Sequence, residues 1–339
     1  MKRLLSVVSW GYLFSVVVLW LFMFFAGDRW WPATLILFGP RWFAALPLIV
    51  LIPLVVYTNA RLLFPLLAAA AIVFGPFMGM CLPSLNSRPL SGPVLRVLTC
   101  NIQGGSCNSQ KLSSLIRDSR ADIVALQECP RVPGFEVPTG WWSVHDGGLM
   151  ILSRYPLMSG ISKQSFHPPH KWPRTSLMHC KVKAPGGELN FCTVHLPSPR
   201  YGLQAILDRR TLLNPSRKGL LVAETLHRLQ TAHELSNVLA ALAGPVIVAG
   251  DFNMPVDSTI YRETWNTYVN AFSTEGAGYG WTVWDGPQGI VFGARIDHVL
   301  VGAGFDVLLS KTGPDVGSDH LPLIADIRVK RYLGKLQKY

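Results

Sequence analysis

The apolar character of the first third of the chain constrains its fold more than any other feature. Leu4–Ala26 contains 23 residues and no charge, which is enough to cross a bilayer as a helix. Two further apolar stretches follow at Leu35–Tyr57 and Leu62–Leu82, and residues 1–90 contain one acidic residue, Asp28. A buried helical core is the alternative, but it fits poorly with three such stretches joined by short loops. We therefore predict a transmembrane region over residues 1–82 with about three helices.

Basic residues near the ends of these stretches predict the orientation, because they favour the cytoplasmic side. Lys2 and Arg3 precede the first stretch, and Arg61 lies between the second and the third. Three crossings would place the remainder of the chain outside the cytoplasm, in a multi-pass protein of the inner (plasma) membrane. The second stretch contains Arg41 and three prolines. If that stretch is only re-entrant, the remainder faces the cytoplasm instead.

Four of the six cysteines bear on the same question, because disulfides form in oxidising compartments. Cys107 and Cys129 each follow a predicted strand, so their loops can meet. Cys180 and Cys192 are symmetric about Gly186 in a predicted hairpin, which would place them opposite each other on adjacent strands. The alternative is that these cysteines are small buried apolar residues.

The remainder of the chain has the composition of a soluble domain. Residues 83–93 are rich in Pro, Ser and Gly and are predicted to form a linker. Helices are predicted at Lys111–Ser119 and Val222–Leu242, where apolar residues recur at helical spacing. Short apolar runs predict nine strands, which are Val94–Thr99, Ile123–Leu126, Leu149–Ser153, Thr175–Lys183, Leu189–His195, Val246–Ala249, Ile296–Val301, Asp306–Leu309 and Leu323–Val329.

This order of elements predicts an α/β domain over residues 94–329, with two sheets packed face to face and helices outside. A basic tail follows over residues 330–339. The predicted helix Val222–Leu242 is preceded by a long connection, Arg200–Leu221. That connection carries a cluster of basic residues, which are Arg209, Arg210, Arg217 and Lys218. Connections of this length are often functional, and a plain surface insertion is the alternative.

Polar side chains recur at the ends of the predicted strands. They lie in five short strings, which are Leu98–Ile102, Leu126–Glu128, Thr193–Leu196, Gly250–Asn253 and Gly317–His320. Four of these strings directly follow a predicted strand. Together they would gather Asn, Glu, His and Asp at one rim of a sheet. Side chains of these types bind divalent cations and act on phosphate esters.

Hydrolysis of a phosphate ester requires a cation, a positioned water and assistance to the leaving oxygen. Glu128 is the predicted metal ligand, with Asn101 as a neighbouring amide oxygen and Asp319 as a second carboxylate. Asp251 and Asn253 lie two residues apart, so in an extended segment both would face one substrate. Asp251 would then orient water and Asn253 would hold an oxygen. An ordinary Asp/Asn turn is the alternative for this pair.

Histidines complete the predicted site. Asp297 and His320 are expected to form a carboxylate–imidazole pair, in which the carboxylate selects the tautomer of the ring and raises its basicity. His195 is a second imidazole that can contact a phosphoryl oxygen. His298, directly after Asp297, is expected to be structural.

The ordered set of strings resembles the endonuclease/exonuclease/phosphatase superfamily over about residues 94–329. The weaker string Ile151–Leu157 belongs to the same resemblance. The resemblance implies a four-layer α/β sandwich of the DNase I type and a dependence on Mg²⁺ or Mn²⁺. It also implies roles for individual residues. Asn101 and Glu128 match metal-site positions, Asp251 and Asn253 match residues that orient water and hold phosphate, Asp297 and His320 match the supporting Asp and the catalytic His, and Asp319 matches the Asp before that His.

Two positions bear on the substrate. His195 matches a His of the phosphodiesterase and sphingomyelinase branches, where abasic-site endonucleases usually carry Tyr. Gln103 stands where several nucleases have an Asp. Both favour a simple phosphodiester or a lipid over damaged DNA as the substrate.

Three functional hypotheses remain at the level of sequence. The leading one is a membrane-anchored, metal-dependent phosphoesterase that acts on a phosphodiester or a phosphomonoester, with a lipid or lipid-linked compound as the favoured substrate. A membrane-tethered nuclease is the alternative, since the net charge of +11 favours anionic partners of several kinds. A membrane scaffold with a sandwich domain that only binds is the third.

Overall fold

The computed structural model describes residues 2–84, 92–129, 134–158, 160–166, 173–208, 210, 216–285 and 291–330. Most of the predicted linker and the predicted basic tail therefore lie outside the described residues, as does Arg209. The α-helices are α1 (Lys2–Ala26), α2 (Trp31–Leu37), α3 (Leu46–Thr58), α4 (Leu63–Ile72), α5 (Ser109–Asp118), α6 (Arg200–Leu207), α7 (Arg217–Ala240), α8 (Thr259–Thr264) and α9 (Ala271–Glu275).

The strands after the apolar region form two large sheets and a small hairpin. Their bounds are β1 (Val94–Asn101), β2 (Ile123–Gln127), β3 (Trp142–Asp146), β4 (Leu149–Ser153), β5 (Leu157–Met158), β6 (Ser162–Phe166), β7 (Pro173–Ala184), β8 (Gly187–His195), β9 (Val246–Asp251), β10 (Val269–Asn270), β11 (Val283–Asp285), β12 (Val291–Ala294), β13 (Asp297–Val301), β14 (Phe305–Thr312) and β15 (Leu323–Val329). The first sheet has the order β14-β15-β1-β2-β4-β3, the second has the order β10-β13-β9-β8-β7-β5 with β6 beside β7, and β11 pairs with β12.

The two sheets pack face to face, and each has a helix on its outer face. Leu95 and Val97 of β1 join the core between the sheets, whereas Leu98 and Cys100 face α5. In the second sheet, Ile247 and Ala249 of β9 point inward, and the alternate residues of β9 pack against α7. Full burial of one such aliphatic side chain contributes about 1.5–3 kcal/mol. The predicted four-layer α/β sandwich is confirmed.

Each of the nine predicted strands is present, but several short elements were not predicted. These are β3, β5, β6 and β10–β12, together with the helices α6, α8 and α9. The short strands lie at sheet edges or in the small hairpin, where half-exposed residues leave no continuous apolar run. Within the connection 200–221, α6 packs against α7, so part of that connection is ordered structure rather than a plain insertion.

The six cysteines are free thiols, and the predicted geometry of one pair is wrong. Ala184 pairs with Gly187, so the centre of the β7–β8 hairpin lies between Pro185 and Gly186. Cys180 is therefore opposite Phe191 rather than Cys192. A shift of one residue moves a side chain to the other face of a sheet, so Cys180 lies in the core between the sheets and Cys192 lies below α7.

The apolar N-terminal region contains three helical segments that are long and apolar enough to cross a membrane. They are Lys2–Arg29, Arg41–Thr58 and Ala60–Phe77. The second begins six residues later than predicted, because Trp31–Leu37 forms the separate helix α2, which ends before Gly39 and Pro40. Arg41 thus lies at the start of this segment. Its guanidinium donates to Asp257 at 2.6 Å and to the carbonyl of Phe77 at 2.9 Å.

The end of the first of these segments, beyond α1, packs against the sandwich. Asp28 accepts a hydrogen bond from Arg228 of α7 at 3.1 Å, and Ser258 also donates to Asp28. The two charged side chains are 1% and 0% exposed. The guanidinium of Arg228 also donates to the carbonyl of Asn253 at 3.3 Å. A buried ion pair therefore joins the apolar region to α7, and Arg228 also links α7 to the loop that follows β9.

We expect Asp28→Ala to destabilise the full-length protein by about 3–5 kcal/mol, because it leaves Arg228 buried and unpaired. Arg29→Ala is the matched control. Arg29 pairs with Glu263 across the same boundary, but it is 68% exposed, and an exposed pair contributes only about 0–1 kcal/mol. Thermal unfolding in detergent measures both effects. Equal midpoints for the two variants would contradict the role given to the buried pair.

Candidate active site

The topology of the sandwich brings five strand ends to one rim. The parallel strands β1 and β2 end at Asn101 and just before Glu128, and the parallel strands β8 and β9 end at His195 and Asp251. Strand β13 is antiparallel to β9 and begins at Asp297, which lies directly opposite Asp251. Residues that are up to 200 positions apart in the sequence therefore share one site.

The carboxylate of Asp251 lies at the centre of this rim. Its Oδ2 accepts a hydrogen bond from Asn101 Nδ2 at 3.0 Å. The same oxygen lies 3.6 Å from His195 Nε2 and 3.9 Å from His320 Nε2. Asp251 is 1% exposed, so its charge is held by these protein groups rather than by bulk water.

Asp251 and Asn253 form a turn, and the predicted extended geometry is wrong. The backbone N–H of Asn253 donates to Asp251 Oδ1 at 2.8 Å, and Asn253 Nδ2 donates to the carbonyl of Leu196 at 2.8 Å. Asn253 has a φ of 50°, in the left-handed region that short polar side chains tolerate best. The turn still keeps the pair together, since Asn253 Nδ2 lies 3.2 Å from Asp251 Oδ2.

Backbone strain is concentrated at this rim. Among the described residues other than glycine, those with positive φ are Gln103, Arg120, Glu128 and Asn253. Glu128 and Asn253 belong to the strings that carry the site, and Gln103 directly follows the string Leu98–Ile102. A left-handed conformation costs a non-glycine residue about 1–3 kcal/mol. The surrounding structure must therefore stabilise this backbone conformation at the ends of the strands.

His320 and Asp297 form the expected pair. His320 Nδ1 donates to Asp297 Oδ2 at 2.8 Å, which leaves Nε2 directed at Asp251. The hydroxyl of Thr282 accepts from the backbone N–H of Asp297 at 3.2 Å, and Ser318 Oγ donates to the carbonyl of Asn101 at 2.7 Å. Thr282 and Ser318 were not singled out in the sequence, because isolated hydroxyl residues in loops carry no pattern.

Burial and mutual charge set the protonation of this cluster. Burial and the neighbouring Asp297 carboxylate raise the pKa of Asp251 to about 7. Burial lowers the pKa of His320, but the carboxylates of Asp297 and Asp251 outweigh burial and raise that pKa to about 10. Asp319, next to His320, adds to this increase. The imidazole of His320 is therefore a cation at neutral pH, held between two buried aspartates.

Glu128 lies at the more open side of the rim. Its side chain is 33% exposed, and its Oε1 lies 3.7 Å from His195 Nε2. Asn101 Nδ2 lies 3.4 Å from the same oxygen. Asn101 directs its amide nitrogen at Glu128, whereas its Oδ1 accepts from the N–H of Gln103 at 2.9 Å. To become an oxygen ligand beside Glu128, this amide must rotate by half a turn.

The residues present suit a divalent cation. Ligand atoms of Asp251, Asp297 and His320 lie within 4.8 Å of one another. Asp297 Oδ1 is buried and has no hydrogen-bond partner among the described residues. Carboxylate and amide oxygens are the donors that hard cations prefer. This group contains none of the predicted ligands Asn101, Glu128 and Asp319. Asn101 adjoins it through its hydrogen bond to Asp251, and Glu128 lies 3.4 Å from Asn101 Nδ2.

His298 is placed away from the rim, with both ring nitrogens paired. Its Nε2 lies 2.9 Å from the carbonyl oxygen of Met254, and its Nδ1 lies 3.1 Å from Asn270 Nδ2. The neutral ring fits these partners, donating through Nε2 and accepting at Nδ1. Burial and the positive charge of Arg295 lower the pKa of His298 to about 3. This geometry suits a structural histidine.

Carboxylate, amide and imidazole groups at the strand ends of an α/β sandwich suit the hydrolysis of a phosphoester. Residues 98–320 match the sequence profile of the Endonuclease/Exonuclease/phosphatase family. The chain therefore belongs to this family and is a hydrolase that acts on phosphoester bonds. Enzymes of the family generally depend on a divalent metal.

Solved structures are similar to this chain at low sequence identity. The structure of D. rerio TDP2 complexed with single strand DNA product has 15% identity and a TM-score of 0.50, over 70% of this chain and 99% of that chain. An endonuclease/exonuclease/phosphatase from Beutenbergia cavernae has 18% identity and a TM-score of 0.47, over 70% and 72%. The human Nocturnin catalytic domain has 16% identity and a TM-score of 0.49, over 71% and 96%. No curated protein sequence matches the chain.

The depressed pKa of His298 predicts a loss of stability in acid. Above pH 6.5 neither state protonates the ring. As the pH falls from 6.5 towards 3, the unfolded chain gains a proton that the native state excludes, so the free energy of unfolding decreases by about 2 kcal/mol at pH 5. His298→Gln should remove this component, and His233→Gln, at an exposed site on α7, should not. Thermal unfolding at pH 7.5 and pH 5 measures the difference, and identical pH dependence in both variants would contradict it.

Proposed function

We propose that this protein is a membrane-anchored, metal-dependent phosphoesterase of the inner (plasma) membrane that hydrolyses a phosphodiester or phosphomonoester bond in a lipid or lipid-linked substrate. The observation that carries the proposal is the convergence of Asn101, Glu128, His195, Asp251 and His320 at one rim of the sandwich. Asn101 and His195 each lie within 4 Å of both Asp251 and Glu128, and His320 lies within 4 Å of Asp251.

In this proposal Glu128 and Asn101 would hold Mg²⁺ or Mn²⁺ after the Asn101 amide has rotated, and Asp319 would be a further carboxylate. The cation would spread the negative charge that develops on the phosphoryl oxygens. Asp251 orients the attacking water, because its carboxylate is fixed by Asn101 and Asn253. His195 and Asn253 bind phosphoryl oxygens. Each role uses a group that the fold holds in position before substrate arrives, which lowers the entropic cost of reaction.

His320 supplies the proton in this mechanism. The carboxylate of Asp297 accepts a hydrogen bond from Nδ1–H of His320, so Nε2 is the nitrogen that faces the site. The raised pKa of His320 keeps a proton on Nε2 at neutral pH. That proton can stabilise the charged phosphoryl group and pass to the leaving oxygen.

The arrangement of the apolar helices supports an extracytoplasmic catalytic domain. Asp28, after the end of α1, contacts the sandwich, and Lys2 lies at the other end of that helix, about 37 Å away at 1.5 Å per residue. The segment from Arg41 to Thr58 returns from the sandwich side, and the segment that ends at Phe77 leads back to it. Three crossings with a cytoplasmic N-terminus place the sandwich on the opposite side.

Nucleic acid is the alternative substrate. The net charge of +11 favours any polyanion, and the similar D. rerio structure is complexed with single strand DNA. Proximity to the bilayer favours a lipid instead, because a tethered site meets membrane substrates at high effective concentration. Plasmid DNA and single-stranded DNA therefore belong in every activity assay beside the lipid substrates.

Substitutions at the rim test the catalytic roles in full-length protein in detergent with Mg²⁺. We expect Glu128→Gln to lower phosphodiester hydrolysis by about 100-fold or more and to weaken metal binding, and His320→Ala to lower turnover by a similar factor while retaining metal affinity. Hydrolysis of bis(4-nitrophenyl) phosphate measures turnover, and calorimetry with Mn²⁺ measures binding. The matched controls are Glu188→Gln and His233→Ala, which change exposed residues away from the rim. Parental activity in either site variant would refute the assigned role.

Reporter fusions test the topology. With three crossings and a cytoplasmic N-terminus, alkaline phosphatase fused after Tyr339 should be active, because it folds only outside the cytoplasm. A fluorescent protein that matures only in the cytoplasm should be dark at the same position. The opposite pattern would mean that the segment from Arg41 to Thr58 does not cross the membrane.

A further inference from the structure

Three aromatic side chains form a continuous cluster beside the active site. Tyr279 and Trp281 stack with ring centroids 4.9 Å apart, and Trp281 meets Trp284 edge-on at 5.1 Å. Trp284 is 44% exposed, although such a ring is normally buried in a core or an interface. We call residues 279–284 the aromatic strip.

One end of the aromatic strip contacts the last apolar helix. The hydroxyl of Tyr279 donates to the carbonyl of Phe74 at 3.0 Å, and Phe74 lies within the third segment that is long enough to cross a membrane. Cys81 and Gly278 exchange two backbone hydrogen bonds of 2.9 and 3.0 Å. The strip is thereby held at the point where the chain leaves that segment.

The other end of the strip contacts the catalytic rim. The N–H of Leu321 donates to the carbonyl of Thr282 at 2.7 Å, and Val283 pairs with His320. Thr282 Oγ1 accepts from the N–H of Asp297. Tyr279 contacts the third apolar segment and Val283 pairs with His320, and only three residues lie between them in the sequence.

A cleft of about 380 Å³ opens along this strip, between it and the exposed edge of β14. Its size lies within the range of small-ligand sites, roughly 300–1,000 Å³. The lining is mostly apolar and includes Pro83, Phe272, Trp281, Trp284, Leu309 and Thr312. At one end the cleft is lined by Pro83, which follows the third apolar segment in the sequence. At the other end it is lined by Trp284, which is next to Val283, the residue that pairs with His320.

We propose that this cleft binds the apolar chain of an amphiphilic phosphoester whose phosphate lies at the catalytic rim. The inference rests on the proposed function and adds the place where the apolar part of the substrate is held. A lipid chain is the occupant that fits, because the cleft is apolar and lies between the bilayer exit and His320. Aromatic rings at a membrane interface suit this position, since they tolerate both the apolar chain and the adjacent water.

The test compares chain length in full-length protein in detergent micelles with Mg²⁺. The substrates are dihexanoyl and dipalmitoyl phosphatidylglycerol, bis(4-nitrophenyl) phosphate and single-stranded DNA. We expect the parent to prefer the long-chain lipid, and Trp284→Ala to lower the ratio of kcat/KM for long over short chains by at least about tenfold, mainly through KM. Trp284→Phe, which keeps a flat ring, should restore most of this ratio.

Trp142→Ala is the matched control. Trp142 is 50% exposed and lies on β3, at the opposite edge of the same sheet from β14. This variant should keep the chain-length ratio of the parent. Should Trp284→Ala fail to fold, Leu309→Gln, at an exposed position of the cleft, provides the same comparison and is expected to lower the ratio.

The outcomes separate this inference from the proposed function. If the parent hydrolyses the soluble diester but the cleft variants leave the chain-length ratio unchanged, the cleft assignment is wrong and the phosphoesterase remains. An equal loss on every substrate would also overturn the assignment, because Trp284 would then only support His320. A selective loss on single-stranded DNA would assign the ring to base stacking instead. If the parent hydrolyses no phosphoester, the proposed function itself fails, and this inference fails with it.

Discussion

The burial of the Asp251 carboxylate is the constraint on which the active site depends. A buried charge is costly unless protein groups replace its hydration, and here Asn101, Asn253 and two histidines surround it. Asp297 lies directly across the sheet from Asp251. Burial and the charge of Asp297 raise the pKa of Asp251, and attraction to the two carboxylates outweighs burial and raises the pKa of His320. The site is thus a compact arrangement of opposite charges that is assembled before any cation or substrate binds.

The apolar N-terminal region is part of the same structure rather than a detachable anchor. The side chains of α1, α2 and α4 share a core with β8, β9 and α7, and the Asp28–Arg228 pair lies at this boundary with almost no exposure. Arg228 also donates a hydrogen bond to the backbone carbonyl of Asn253, which is itself a residue of the rim. Interruptions of the apolar pattern, such as Asp28 and Arg41, are therefore points of attachment to the sandwich. Their charges are tolerated because partners on the sandwich neutralise them.

Local patterns in the sequence were sufficient for the central strands and for the composition of the site. The strands β1, β2, β8 and β9 are mainly apolar because most of their residues are buried on both faces, and such runs are visible without a structure. Polar residues directly after these runs must lie at one rim when the strands are parallel. The order of the five strings, together with the family resemblance, therefore predicted the sandwich, and the structure brings Asn101, Glu128, His195, Asp251, Asn253, Asp297 and His320 together.

Other features were decided only by tertiary contacts. Cys180 and Cys192 are not opposite each other because the centre of the hairpin lies between Pro185 and Gly186, whereas the sequence predicted it at Gly186. The turn at Asp251–Asn253 requires a left-handed backbone conformation at Asn253. Hydrogen bonds from Asn253 to Leu196 and Asp251 stabilise that conformation. The cleft beside Trp284 and the Asp28–Arg228 pair join segments that are about 200 residues apart in sequence. The sequence by itself determined which segments are apolar, which are strands and which chemical groups are available. The tertiary structure decided which groups meet, because hydrogen bonds and charge pairing between distant segments have no local signature.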